Sequence, residues 1–350
     1  MSSLPTSLPA LPVELAACDK LLIVAAAGLS ISTDLPNNPY HSSRDFQYHY
    51  PLLVKAGYQT SYHAMGVSRD PRVPESVKVG YLVQHFLNMR FRFPPTPAYA
   101  WLKHLAVSFE NRDPDAVFCW TSNVDGCFER AGFDPGRVWT TQGDMTNYQC
   151  LRCKNVWNCA AELRNMDAAC SPEGELTDMS LCLTCPKCGA SRAELRPSLR
   201  GGDWFDHTPY QEKQDALLAW LDAAIQNKSK VAVLEIGVGP NTPVVTRIPA
   251  AAFASALVAG GGECTYVRIN PDERPEPASQ NPQGDPERLR FTRVCAGWDV
   301  LKPILDETIK LRCEREDTTG QNTSQKNADA DEEAVAAWQG RYLDIARSLQ

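Results

Sequence analysis

The chain has no long apolar run. Nowhere do its 350 residues approach the roughly 18 consecutive apolar positions that span a bilayer, and the Ala-rich segment 248–259 is too short. It has no basic excess either: 35 Lys and Arg face 42 Asp and Glu, a formal net charge of −7. That balance argues against bulk electrostatic binding of nucleic acid or of an anionic membrane. The first twenty residues carry no charge before Glu14 and no Arg-rich amphipathic pattern. Secretory and mitochondrial signals are therefore not expected, and a cytoplasmic location is. Histidine is scarce, with His41, His49, His63, His85, His104 and His207 making six, which narrows the choice of general base. Cysteine is abundant: thirteen residues, an odd number, in a chain without an evident secretory signal do not read as a disulfide scaffold.

At 43% hydrophobic and 22% charged the composition is that of a globular protein, and the length suggests two units. LLIVAAAG (21–28) is an apolar run of buried-strand length. Residues 31–80 lack periodicity and read as long ordered loops with short helices. Helices follow at 81–91 and from Pro97, where Thr96 is placed as N-cap and Tyr99, Leu102, Leu105, Ala106 and Phe109 share one face. VFCW (117–120), RVWTT (137–141), VAVLEIGVG (231–239) and TYVRIN (265–270) are further strands, and 211–226 is a helix. Strands alternating with helices predict an α/β fold with an open parallel sheet, whose ligands bind at the carboxyl ends of the strands. Residues 148–200 break the pattern and are assigned to a small inserted module. The expected organisation is a first part of the sheet domain over 1–147, the module over 148–200 and a second part over 201–313. Residues 314–350 would form a disordered linker and a terminal amphipathic helix.

Seven cysteines fall between Cys150 and Cys188. Cys150–Cys153 and Cys185–Cys188 are two Cys-x-x-Cys knuckles, and four thiolates so paired make a closed, structural zinc site. The 31-residue gap between the knuckles leaves Cys159, Cys170 and Cys182 as substitutes or bystanders. Elsewhere the strand ends are polar: AAAGLS (25–30), TSNVDG (121–126), GVGPNTP (237–243) and INPD (269–272). Each alone is an ordinary turn. Four converging on one sheet edge make a candidate nucleotide site.

In this order the motifs resemble the sirtuin family. AAGLS at 26–30 is similar to its GAGIS motif, TSNVD at 121–125 to TQNID, and QGD at 142–144 to its HG segment. The two knuckles follow, then Arg196–Pro197, GVGPNTP in place of the GTS turn, and Ile269–Asn270. The wording is closest to the macrodomain-linked, class M sirtuins. The resemblance implies a Rossmann-like domain with an inserted zinc-ribbon module, and NAD as co-substrate. It assigns Asn123 and Asp125, with Ser122 beside them, to the ribose and nicotinamide. Ala26, Gly28, Ser30, Gly237, Val238, Gly239 and Asn241 would lie along the phosphates and adenosine, with Asn270 on the adenine ribose. Gly297–Trp298 would close over adenine.

Besides Ala26, which stands where the family's GAG has its first Gly, three departures shape the functional expectation. Gln142 stands where deacylating sirtuins carry a catalytic His, and a carboxamide cannot take up a proton near neutral pH. Glycosidic cleavage survives that loss, so the implied activity is protein mono-ADP-ribosylation with Gln142 positioning the acceptor or the ribose. Substitute bases would be Asp144 or His207. RDF at Arg44–Phe46 stands for the PDFR segment, with Arg44 guarding the ribose. RPSLRGGDWF replaces the FGE segment; within it Arg200 and Asp203 either contact an acceptor or, preferably, pair with each other. Class M resemblance also implies a lipoylated glycine-cleavage-type carrier protein as acceptor and a macrodomain hydrolase as partner. A deacylase with a substitute base and a non-catalytic NAD or ADP-ribose sensor are the competing expectations.

Overall fold

The computed structural model describes residues 10–31, 43–239, 243–272, 274 and 276–318. Its strands in chain order are β1 (Lys20–Ala25), β2 (Val117–Thr121), β3 (Val138–Thr140), β4 (Gly143–Cys150), β5 (Val156–Asn158), β6 (Leu195–Leu199), β7 (Lys230–Ile236), β8 (Glu263–Ile269) and β9 (Leu289–Val294). The helices are α1 (Leu11–Ala16), α2 (Ala27–Ser30), α3 (Ser43–His49), α4 (Pro51–Lys55), α5 (Glu75–Leu87), α6 (Pro97–Glu110), α7 (Cys127–Arg130), α8 (Ala160–Ala168), α9 (Gln211–Gln226), α10 (Arg247–Ala259) and α11 (Leu301–Thr318).

Six strands form one sheet in the order β3-β2-β1-β7-β8-β9, each neighbouring pair parallel. A parallel sheet needs both faces covered, which is why its strands read as continuous apolar runs. In β1, Leu21, Ile23 and Ala25 face a core shared with Leu15, Tyr99, Leu102 and Leu305 from α1, α6 and α11. Leu22 and Val24 face Leu217, Trp220, Phe253 and Leu257 from α9 and α10. Strand order reverses between β1 and β7, so the crevice at their carboxyl ends is the topological switch point where such sheets hold ligands.

The second sheet is antiparallel, in the order β5-β4-β6. The expected module boundary at 148 falls inside β4, which begins at Gly143. Its apolar cluster joins Leu163 and Met166 of α8 to Val79, Val83 and Phe86 of α5.

Several elements differ from expectation. β1 ends at Ala25, three residues early, and α2 follows at once. α5 starts at Glu75, where Gly80 and β-branched residues obscure the period, and it passes into a π turn at Asn88–Arg92. Thr96 precedes α6 as expected, but its hydroxyl donates to Leu29 O (2.8 Å) and ties α6 to α2 rather than capping. α11 continues to Thr318, past the predicted linker boundary at 314. The buried Arg312 explains this: it donates to Ser108 O (3.2 Å) and Cys18 O (2.8 Å) and lies over the Phe109 ring, pinning α11 to α6 and the end of α1. The rest of that linker, from 319, and the predicted terminal helix lie outside the described residues. Among the described residues no helix is long and apolar enough to cross a membrane.

Candidate functional site

β2 delivers the turn 122–126 to the switch point. Thr121 Oγ1 donates to Ala25 O (3.0 Å) and accepts the Asn123 N–H (3.0 Å), fixing the turn to β1. Asn123 and Asp125 are both buried. Ser30 donates to Asp125 Oδ2 (2.6 Å), and the Cys127 N–H donates to Oδ1 (3.0 Å). Because the single Ser30 hydrogen points at Asp125, Tyr99 donates in the 2.7 Å contact between Tyr99 OH and Ser30 Oγ. Asn123 Nδ2 donates to Ala26 O (3.1 Å) and turns its second hydrogen to Tyr99 OH and Ser30 Oγ, each 3.2 Å away. Ala26 O can only accept, so the amide nitrogen is the inward atom. Asn123 Oδ1 is left without a partner among the described residues.

Tyr99 was legible only as a core residue of α6. Burial, and then the charge of Asp125, hold its phenol protonated well above the usual range, so it is a fixed donor. A tyrosine on an otherwise apolar face is the signal that marks it, since a buried hydroxyl needs a partner.

The two Gly-rich turns meet backbone to backbone. Gly28 N–H donates to Gly237 O (3.0 Å), and a Cβ built on Gly28 would stand 2.5 Å from Gly237 Cα. Gly237 itself has φ +64°. Ser122 is half-buried, its N–H on Ala25 O (3.1 Å). Val238 is buried and its carbonyl accepts from Asn270 Nδ2, while Asn270 Oδ1 accepts from Asp272 N (3.2 Å). Ala26, Gly28, Ser30, Asn123, Asp125, Gly237, Val238 and Asn270 thus share one contact network. Asn241 lies outside the described residues. Arg44 is exposed on the first turn of α3. Trp298 is half-buried; its indole donates to Ile31 O (2.8 Å) and its ring lies 5.7 Å from Trp101.

Gln142 joins β3 to β4, half-buried, with its carbonyl accepting the Arg200 N–H (3.0 Å). Asp144 is committed elsewhere. Oδ1 accepts from Thr146 N (2.7 Å) and Thr146 Oγ1 (2.6 Å), and Oδ2 faces Arg90 at 3.4 Å. Arg90, on the π turn, also reaches Gly126 O (3.5 Å), so it bridges the 122–126 turn and the segment after Gln142. Nothing in the sequence singled it out. The pair expected between Arg200 and Asp203 is not formed among the described residues, and burial lowers the Arg200 pKa. His207 packs edge-on to Phe205 (4.7 Å), whose ring lies against Gly143. Burial, then the charge of Arg200, lowers the His207 pKa and keeps the ring neutral at pH 7. His85 is a buried core residue beside Tyr50 and Tyr81, and His104 is exposed.

The four knuckle cysteines converge, all Sγ atoms lying within 4.8 Å of one another. Cys150 and Cys188 are 3.7 Å apart, Cys153 and Cys185 3.5 Å. A zinc–sulfur bond of about 2.3 Å gives a tetrahedral edge of about 3.8 Å, so the donor set fits the ion. Both knuckles close alike: Lys154 N–H returns to Cys150 O and Gly189 N–H to Cys185 O, each at 2.9 Å, with φ of +59° and +68°. Although burial opposes it, the N–H groups of Cys188 and Lys187 and the neighbouring thiols draw the Cys185 thiol down to about 7. Cys159 donates to Thr146 O (3.1 Å) and Cys170 to Met166 O (3.4 Å). Burial raises both thiols, to about 12 and about 11, and raises Cys182 as well. These three line the module's apolar cluster outside the four-sulfur group.

The model of the Sir2 family matches residues 60–217. A protein of Fusarium oxysporum f. sp. cubense, named probable bifunctional ADP-ribose hydrolase/ADP-ribosyltransferase, is 32% identical over 251 residues. The match takes in 67% of this chain and 38% of that protein, so the chain spans about two fifths of the relative's length. Among solved structures, a Sir2 homologue mutant with 2′-O-acetyl-ADP-ribose has a TM-score of 0.51 at 17% identity, over 89% of this chain and 99% of that one. A Sir2 homologue with NAD has a TM-score of 0.50 at 17% identity, over 89% and 96%. At that identity the structural likeness speaks for the fold alone. With the family model lying across the 121–126 turn and both knuckles, and the same fold beneath them, the chain belongs to the Sir2, or sirtuin, family.

Proposed function

We propose that the protein is an NAD-dependent protein mono-ADP-ribosyltransferase. One observation carries the reading: of the two polar side chains that the β3–β4 junction itself supplies, Gln142 and Asp144, neither is a free proton acceptor among the described residues. Gln142 is a carboxamide, and the nearby carboxylate, Asp144, is held by Thr146 and Arg90. Removal of a ribose proton, which deacylation requires, lacks its base there. The transferase named in the Fusarium relative agrees.

The residues fit a dinucleotide. Asn123 Oδ1 is an unused acceptor beside the buried Asp125, and the turns 26–30 and 237–239 lie together at the switch point. Bound NAD would supply an activated C1′–nicotinamide bond: nicotinamide leaves with the bonding pair, a nucleophile of the acceptor protein bonds to C1′, and its proton passes to solvent. Asp125, oriented by Ser30 and Cys127 N–H, would accept from the carboxamide. Asn123 Oδ1 would face the ribose, where an acceptor oxygen favours developing positive charge. Gln142 would orient the acceptor. Cys150, Cys153, Cys185 and Cys188 would hold a structural zinc. We further propose a lipoylated glycine-cleavage-type carrier as acceptor and a macrodomain hydrolase as partner.

His207 favours a second reading: a neutral imidazole near Gly143 could serve a residual deacylase. The test is incubation with adenylate-labelled NAD, a protein panel that includes a lipoylated carrier, and an acetyl-lysine peptide. Wild type, Asn123→Ala and His207→Ala are run together. Label on protein that is lost in Asn123→Ala supports transfer. Deacetylated peptide lost in His207→Ala, without protein label, supports the deacylase. Neither product, with NAD bound, leaves a sensor.

A further inference from the structure

Beneath the 237–239 turn lies a cluster of four charges. Glu235, Arg247 and Arg268 are at most 1% exposed at their side chains, and Glu276 is 11% exposed. Glu235 Oε1 accepts from Arg247 Nε and Oε2 from Arg268 Nε, both at 2.9 Å, and Oε2 also takes the Tyr266 hydroxyl at 2.6 Å. Glu276 closes the ring from outside, accepting from Arg247 Nη1 (2.8 Å) and Arg268 Nη1. The charges sum to zero. Desolvating four ions is expensive enough that apolar side chains of equal volume commonly serve stability as well. Stability alone is therefore a poor account of this cluster.

Its spare donor shows what the cluster does. Arg247 Nη2 donates to Val238 O, the same carbonyl that Asn270 holds. In a trans peptide the carbonyl and the following N–H point in opposite directions. Drawing Val238 O inward onto Arg247 therefore turns the Gly239 N–H outward, away from the protein. That N–H has no partner among the described residues. An outward, unpartnered N–H just past the end of a central parallel strand is a ready anion donor.

We infer that Arg247 is a positioning residue: clamped by Glu235 and Glu276, it sets the Val238–Gly239 peptide so that the Gly239 N–H meets a dinucleotide phosphate. The inference rests on the dinucleotide reading above. Lysine at 247 would keep the charge against Glu235 but could not reach both glutamates and Val238 O together. A merely structural role therefore survives Arg247→Lys, whereas positioning does not.

The experiment is calorimetric titration of ADP-ribose, with thermal melts, on wild type, Arg247→Lys, Arg247→Met and, as a control for general loosening, Arg312→Lys. The expected result is an ADP-ribose affinity about tenfold weaker or worse in both Arg247 variants. In transfer assays KM for NAD rises while kcat holds. Arg312→Lys should lower the melting temperature with affinity unchanged. Wild-type affinity in folded Arg247→Lys overturns the inference, as does an equal loss in Arg312→Lys. Absence of ADP-ribose and NAD binding in wild type overturns the dinucleotide reading, and this inference with it.

Discussion

Gly28→Ala places a methyl 2.5 Å from Gly237 Cα and 2.8 Å from Gly237 O, against an ordinary carbon contact of about 3.5–4.0 Å. Both obstacles are backbone, so no rotamer relieves the overlap of about 1 Å, and the turns must part. Parting them also lengthens the bond from Gly28 N to Gly237 O, now 3.0 Å. Overpacking of this kind costs about 1–3 kcal/mol. Gly237→Ala meets the same wall from the other side and adds about 1 kcal/mol, because φ +64° is left-handed. One opened gap accommodates both methyls, so the double variant should fall short of the summed losses by about 1 kcal/mol. Urea denaturation of the four proteins gives the cycle, and ADP-ribose affinity should fall in each variant. Stability of Gly28→Ala within about 0.5 kcal/mol of wild type, or strict additivity, would refute the claim that these glycines exist for each other.

Purified under mild conditions, the protein should contain about one zinc per chain, lost in Cys185→Ser; fewer than about half an equivalent in elemental analysis would count against the four-cysteine site. Chelation should loosen the α5–α8 cluster and expose residues 159–190 to protease, read by mass spectrometry of the fragments. Tyr99→Phe removes the donor to Ser30 and should cost about 1 kcal/mol in denaturant melts. It should slow transfer more than it weakens NAD binding, because Ser30 and Asn123 lose their orientation. The buried His85 has its pKa lowered to about 4 by desolvation. The unfolded chain then binds this proton first, so stability is complete above about pH 6.5 and declines as pH falls towards 4. The decline should total about 3 kcal/mol, and His85→Phe should flatten it.

The large sheet was legible because a parallel strand buried on both faces must be a continuous apolar run, and β1, β2, β7 and β8 are such runs. β9 was not: LRFTRV alternates at the sheet edge, and only Val294 is fully buried. α11 was obscured by its charge, since its buried apolar residues Leu301, Ile304 and Leu305 occupy only the first turns and the buried Arg312 holds the rest. α5 was read short because its apolar face serves the zinc module rather than the sheet, a tertiary fact that no local pattern carries. The knuckles were plain because thiolate chelation demands its spacing locally, and the role of Cys159, Cys170 and Cys182 was not, because a buried thiol and a ligand look alike in sequence.

The site divides along the same line. Asn123, Asp125 and Gln142 stand at strand ends, where polar residues are conspicuous against apolar runs. Tyr99 was hidden inside a helix that read as packing, and Arg247 stood beside an Ala-rich segment weighed only as a membrane span. Yet these two decide what the conspicuous residues can do: Tyr99 holds Ser30 and the Asn123 amide inward, leaving Oδ1 for a ligand, and Arg247 turns the Gly239 N–H outward. A site residue presents one atom to a ligand only when its other atoms are occupied, and the occupiers come from distant elements of the chain. Arg90 belongs to the same class. Its hold on Asp144 engages the carboxylate two residues after Gln142, which on the proposed reading could have served as a base. Arg90→Met, by freeing Asp144 from its cation, is therefore the substitution by which weak deacylation would emerge if position alone were lacking. Continued absence of deacylation in that variant would mean that the Thr146 hydrogen bonds suffice to keep Asp144 turned away.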